Sequence, residues 1–531
     1  MQRRNFLKKT GVAVTAATAL LTSMNTSAAT IFEDEYLSEI SIDALQRKYE
    51  NGSLSAEEAV RKYLKRIAAI DKSGPALNAV IELNPDAIDI ARQLDKERKQ
   101  GKVRGPLHGV PVMIKDNIDT ADKMQTTAGS LAMLGNIAKE DAFIVKKLRA
   151  AGAIIIGKTN LSEWANFRST SSCSGWSSRG GQTKSPYILT HNPCGSSSGS
   201  GVAVSANLCT VAVGTETDGS VVCPAAVAGI VGLKPTVGLL SRAGIIPISS
   251  TQDTAGPMGR TVKDVANLLS VLTGIDENDA ITASSKEYLQ TDYGKALDKN
   301  ALAGKRIGMD KRPQGDNQFL HKLRQAAIDK MKALGATIVE IDYVEKIDAL
   351  GGDELNVLEY EFKDGVNKYL AKANGKMKSL KDVIEFNKKN EDTAMPYFKQ
   401  EILEKSEKTK GLDETEYKKA LLQSHEGGKK LLNDIMDSNN LDAITGLTMG
   451  MSCAIDKIYG DRWGSVFLTQ PAAISGFPHL TVPAGQVYGL PVGISFFGKE
   501  FTEEKLLSMG YAFEQATMHR TLPKFLPYLE A

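Results

Sequence analysis

Two serines and one lysine in this chain are placed where they could cut an amide. Lys115 closes an apolar run, GVPVMIKDN (109–117). Ser196 lies in a glycine-serine loop, CGSSSGSG (194–201), and Ser220 in a second loop, GTETDGSVVCP (214–224). A serine hydroxyl attacks a carbonyl when a base removes its proton. A lysine can be that base only when neutral, and burial at the end of an apolar run disfavours its ammonium form. Successive backbone N–H groups in the turn Thr217-Asp218-Gly219-Ser220 can converge on one concavity and stabilise an oxyanion. Taken singly, each piece has a plainer reading. Lys115 could be paired with Asp116, Ser220 could cap a glycine turn, and the GSSSGSG loop could be a flexible connection.

Other chemistries fare worse. The five cysteines (173, 194, 209, 223 and 453) are odd in number and lack C-x-x-C spacing, which argues against a disulfide framework and a zinc site. Cys194 and Cys223 neighbour the serines, but the favoured reading is buried structural thiols. The six histidines form no H-E-x-x-H or other ligand pair. No cofactor or metal is expected. Residues 152–159, GAIIIGKT, fit phosphate-loop spacing, yet three consecutive isoleucines make a strand core rather than a loop that curls around an anion. Residues 195–199, GSSSG, fit a nucleophile elbow, yet THNPC before them is a loop where that elbow needs a strand.

The elements that must hold these residues alternate. Ser55-Ala56-Glu57-Glu58 reads as a capping box opening a helix, with Val60, Tyr63, Leu64, Ile67 and Ile70 on one face. Ala87 to Lys99 is a second amphipathic helix and Ala142 to Ala150 a third, and Val202 to Ala206 opens another. Val110–Ile114, Ala153–Ile156, Cys209–Val213, Leu441–Leu447, His479–Val482 and Val492–Phe497 read as strands. The pattern predicts an α/β fold, a single large domain whose central mixed, largely parallel sheet is covered by helices on both faces. Residues 276–440 are rich in Lys and Glu and predict solvated helices, an insertion flanking a substrate cleft.

Hydrophobic residues at 42% and charged residues at 24% fit a globular core. Residues 1–29 hold Arg3, Arg4, Lys8 and Lys9 and no acid, so their removal takes the net charge from +2 to −2. A chain so near neutrality offers no electrostatic case for nucleic-acid binding. The twin arginine, the apolar stretch Gly11 to Leu21 and the small residues at Thr26-Ser27-Ala28-Ala29 resemble a bacterial twin-arginine export signal. The apolar stretch is too short to span a membrane as a helix. The expectation is a periplasmic or secreted protein beginning near Thr30 with no stable membrane insertion.

In their order along the chain, the specific stretches resemble the amidase signature family. They are GVPVMIKDN, GSSSGSGVAVSANL, GTETDGSVVCPAAVAGIVGLKPTVGL and QDTAGPMGR, then SGFPHLTVPAG, GLPVGISFFG and AFEQAT. The resemblance runs from about Ile40 to Pro523 and is densest at 105–260, so residues 30–531 are expected to form one amidase domain. It implies a Ser-cisSer-Lys triad: Lys115 as general base, Ser196 after a cis peptide bond as relay, Ser220 as nucleophile, and backbone N–H groups of Thr217, Asp218, Gly219 and Ser220 as oxyanion donors. Asp218-Gly219 stands where many members have two glycines, and Val222 where many have arginine. With these variants the chain looks like bacterial peptide amidases, which release ammonia from C-terminal carboxamides. The alternatives are a glutamine-hydrolysing protein like the A-type component of an amidotransferase, and a binding protein with a dead site.

Overall fold

The computed structural model describes residues 37–290, 292–312 and 314–529, so the leader expected at 1–29 lies outside the described residues. Eleven strands form one sheet. In chain order they are β1 (Val80–Leu83), β2 (Pro111–Lys115), β3 (Ile154–Thr159), β4 (Val211–Glu216), β5 (Val231–Lys234), β6 (Thr254–Gly259), β7 (Arg306–Asp310), β8 (Thr337–Ile341), β9 (Ala443–Leu447), β10 (His479–Val487) and β11 (Leu490–Phe497). Their spatial order is β1-β3-β2-β4-β6-β5-β10-β11-β9-β7-β8.

Parallel pairing falls in two blocks, β3-β2-β4 and β9-β7-β8, joined through antiparallel strands. Strands β2, β3 and β4 are buried at every position, as a sheet covered on both faces requires. This is the α/β architecture that the alternating pattern predicts.

Ser55 and Glu58 form the expected reciprocal capping box of the helix Ala56–Arg66. Helices Ala87–Lys99 and Phe143–Ala150 also stand where periodicity puts them. The helix expected from Val202 begins earlier, at Ser198, because the serines of the loop are consumed in its first turn. The phosphate-loop lookalike is strand β3, and its Lys158 is buried, donating to Ile118 C=O and Thr126 Oγ1.

The stretch 276–440 departs from the expectation of a purely helical insertion. It contributes β7 and β8, which extend the main sheet at one edge and are joined by the helix Gln318–Ala333, and from Val344 to Ser438 it is helical apart from connecting loops. Its long helix Gly351–Lys372 does flank the cleft. Leu358 and Phe362 from that helix pack with Trp164, Phe167 and Ile248. The Phe167 and Phe362 rings meet at 4.9 Å between centroids. Burial of each such side chain stabilises by about 1.5–3 kcal/mol, enough to hold the segment against the sheet domain. No helix among the described residues is long and apolar enough to cross a membrane.

Candidate active site

Lys115 is the last residue of β2, and Ser220 follows four residues after the end of the adjacent parallel strand β4. Both therefore sit at the carboxyl ends of neighbouring parallel strands, the edge where open α/β sheets form their clefts. The loop carrying Ser196 arrives from the side and runs into the helix Ser198–Ser205.

Lys115 is fully buried, and its Nζ lies 2.8 Å from Ser196 Oγ. Its other polar neighbours both belong to Thr215: the carbonyl at 3.1 Å and Oγ1 at 2.8 Å. Thr215 Oγ1 also accepts from Asn117 Nδ2 at 3.0 Å. Among the described residues, no carboxylate touches the amine. Asp116, its sequence neighbour, turns instead to Thr127 and to Arg179 at 3.3 Å, so the salt-bridge reading of Lys115 fails. Desolvation by burial lowers the Lys115 pKa from 10.5 to about 7, opposed more weakly by the charges of Asp253 and Glu216. Two acceptors on Thr215 and one hydroxyl suit a neutral amine, which has two N–H groups to give and one lone pair to receive a proton.

The Gly195–Ser196 peptide bond is cis. The serines of this loop hold it rigidly. Ser197 Oγ donates to Thr215 C=O at 3.0 Å and accepts from Thr215 N–H at 3.1 Å. Ser198 Oγ donates to Cys194 C=O, and Ser200 Oγ pairs with Thr159 Oγ1 at 2.8 Å. At Gly199 a Cβ would stand 2.3 Å from Ala79 C=O and 2.5 Å from Asn160 C=O, so only glycine lets the loop come this close.

Ser220 meets this loop through the backbone: Ser197 N–H donates to Ser220 C=O at 3.1 Å. Gly219 takes φ +75°, the left-handed conformation that turns the chain from β4 into the helix Val222–Val227. Glu216 clamps the far side of the turn, its carboxylate accepting from Val221 N–H at 2.7 Å and Val222 N–H at 3.0 Å. Thr217 Oγ1 donates to Asp253 at 2.5 Å, and Asp253 also accepts from Ile248 and Ser249 N–H. Among the described residues the N–H groups of Thr217, Asp218 and Ser220 have no acceptor, and that of Gly219 lies beside the Glu216 carboxylate.

Ser220 and Gly195 open on a common cavity of about 260 Å³, lined also by Asn166, Phe167, Cys194, Thr217, Asp218, Cys223, Leu358, Trp463 and Phe467. Cys194 and Cys223 are both buried, and burial pushes the Cys223 thiol well up, away from the thiolate a nucleophile needs. The structure thus joins Lys115 to Ser196 by a hydrogen bond and ties the loop of Ser196 to the turn 217–220 through Ser197 N–H and Ser220 C=O. Ser220 lines the cavity, whereas Lys115 and Ser196 are fully buried behind it, and among the described residues no hydrogen bond joins Ser220 Oγ to Ser196 Oγ. Thr215, Asn117, Glu216 and Asp253 escaped the sequence reading. Glu216 and Thr215 lie inside the GTETDGSVVCP stretch, but nothing in their spacing separates a hydroxyl that faces the lysine from a strand residue.

A fold and cavity of this kind define an amide-cleaving hydrolase, and comparison with known proteins agrees. The amidase family model matches residues 58–507. The chain is 40% identical over 501 residues to a probable amidase of Arabidopsis thaliana, covering 92% of each chain. It superposes on the native peptide amidase of Stenotrophomonas maltophilia with a TM-score of 0.88 at 45% identity, covering 92% of this chain and 99% of that one. It is also 34% identical over 499 residues to the A-type component of the glutamyl-tRNA(Gln) amidotransferase of Symbiobacterium thermophilum, covering 90% of this chain and 97% of that protein. The chain belongs to the amidase signature family. It is a hydrolase acting on amide C–N bonds.

Proposed function

We propose that this enzyme hydrolyses a carboxamide to an acid and ammonia through an acyl-enzyme on Ser220, with C-terminal peptide amides as substrates. Ser220 Oγ attacks the amide carbon while its proton passes to Ser196 Oγ and the Ser196 proton passes to neutral Lys115 Nζ. The tetrahedral oxyanion accepts from backbone N–H groups of the turn Thr217, Asp218, Gly219 and Ser220. Collapse breaks the C–N bond, and the lysine proton returns through Ser196 to the leaving nitrogen. Water then attacks the ester with the same relay, releasing the acid and restoring the Ser220 hydroxyl.

The observation that carries this reading is the 2.8 Å contact of Lys115 Nζ with Ser196 Oγ, in a buried pocket where no carboxylate touches the amine and desolvation lowers the lysine pKa to about 7. The peptide-amide assignment rests on the 45% identity to a peptide amidase, together with the apolar walls that Phe167, Leu358 and Phe467 give the cavity. The leader at 1–29 supports export by the twin-arginine route to the periplasm or beyond. The similarity to an amidotransferase component favours glutamine hydrolysis as the second reading.

Ammonia release by the purified protein alone separates the two. Peptide amides should turn over at rates at least tenfold above glutamine. Glutamine as the better substrate would overturn the first reading, and no release from any amide would overturn both. Cell fractionation of the chain with Arg3 and Arg4 both replaced by lysine tests the leader, and undiminished export would refute that route.

A further inference from the structure

The turn that carries Ser220 is gripped from outside by a buried network reaching from the distant helical segment. Gln252 Nε2 donates to Thr217 C=O at 3.2 Å and to Glu354 Oε1 at 2.9 Å. The other oxygen of Glu354 accepts from Gln470 Nε2 at 2.7 Å. Gln252 is 1% exposed and Glu354 is 6% exposed. Glu354 stands in the first turn of the helix Gly351–Lys372, Gln252 in the loop before β6, and Gln470 at the start of the helix Gln470–Ser475. Three segments far apart in sequence therefore form one chain of hydrogen bonds that ends, through Gln252, on this carbonyl.

That carbonyl shares a peptide unit with the Asp218 N–H. A trans peptide is planar, and its C=O and N–H point in opposite directions. Whatever holds the Thr217 oxygen therefore sets the direction of the Asp218 N–H, which has no acceptor among the described residues and belongs to a residue lining the Ser220 cavity. Oxyanion donors work only when they are already aimed at the atom that becomes charged. A long glutamine side chain holds an aim only if its own amide is fixed, and here the Glu354 carboxylate fixes it.

We propose that Gln252 and Glu354 are positioning residues that aim the Asp218 N–H at the oxyanion, making the helical segment part of the catalytic apparatus. This rests on the oxyanion role assigned to the turn above. Gln252 acts directly on the peptide and Glu354 acts through Gln252. Neither touches the substrate.

Gln252→Met keeps the volume and removes the donor. Its kcat on a peptide amide should fall about 10- to 100-fold with KM nearly unchanged, less than the roughly 10²–10³-fold that outright loss of a donor costs, because the N–H is misdirected and not removed. Affinity for a peptide aldehyde, which forms a tetrahedral adduct on a serine, should fall by the same factor, while affinity for the product acid stays unchanged. Glu354→Leu should act in the same sense. Glu354→Gln should restore most of the rate, because its carbonyl can still accept from Gln252 while the Gln470 amide flips. The Gln252→Met/Glu354→Leu double variant should be no worse than Gln252→Met, since residues acting in series do not add.

Wild-type kcat in Gln252→Met would overturn the proposal, as would equal loss of aldehyde and product affinity, or additive effects in the double variant. Thermal unfolding of each variant separates misfolding from misaiming. A wild-type enzyme inert on all amides would instead sink the catalytic reading itself.

Discussion

Lys115 Nζ and Ser196 Oγ lie 2.8 Å apart, and the remaining polar neighbours of the amine are two atoms of Thr215. The arrangement gives a buried lysine enough hydrogen bonds to stay ordered without a counter-charge that would keep it protonated. That balance distinguishes a base from a structural ion pair, and the following predictions depend on it.

Replacing Ser220 by alanine should abolish ammonia release, because it removes the hydroxyl proposed to form the acyl-enzyme. Lys115→Ala should cost about 10²–10⁴-fold or more in kcat, the worth of a general base. Ser196→Ala should retain a measurable residue, since water can bridge the gap. Wild-type-like turnover in Lys115→Ala would reverse the role assignment.

The pH profile follows from the lysine pKa of about 7. The neutral amine is the active form, so kcat/KM should climb about tenfold per unit below that value and level off above pH 8. A rate that is constant from pH 5.5 to 8 would contradict a titrating lysine.

Thr215→Val keeps the shape of the side chain and removes the oxygen shared by Lys115 and Asn117. The ammonium form loses an acceptor, so the midpoint of the pH profile should move to lower pH. The orphaned Asn117 amide should cost about 1–3 kcal/mol of stability. Titration of the rate and denaturant unfolding measure the two effects, and an upward shift of the midpoint would be incompatible with this account.

Burial, together with the facing Glu354 charge, raises the Asp218 pKa well above its ordinary 3.8. Its folded-state pKa exceeds the unfolded value, so its stabilising contribution is complete below the ordinary value and lost as pH rises toward the folded one. Asp218→Asn mimics the neutral acid without that loss. The variant should gain stability over the wild type as pH increases from 4 to 8, with amidase activity retained within about threefold. Tm measured across that range decides it, and a growing deficit in the variant would mean the carboxylate is ionised.

Much of the scaffold was legible because its signals are local. The capping box at Ser55 and Glu58 is written in four residues, and the buried strands β2 and β3 in uninterrupted apolar runs. The stretch 276–440 was harder. Strands β7 and β8 lie at the sheet edge, and the pattern of β8 leaves most of its positions partly exposed. It therefore lacks the apolar run that marks a central strand. Gln252 opens the QDTAGPMGR stretch, but nothing in that stretch shows which backbone group its amide reaches, and Glu354 carried no signal, since a glutamate opening a helix ordinarily reads as a residue that favours the helix dipole.

The chain by itself settled which residue types were present and in what order. A lysine closes an apolar strand, one loop of glycine and serine follows, and another serine comes after the next strand. With the ordered stretches from GVPVMIKDN to AFEQAT, these were enough to point to an amidase of the signature family. Only the packed structure decided that Lys115 faces Thr215 and Ser196 rather than Asp116, and that a helix more than a hundred residues downstream reaches the turn of Ser220 through Gln252. The reason is that protonation state and donor direction depend on what surrounds a group in space, and those neighbours come from segments between which the sequence records no distance.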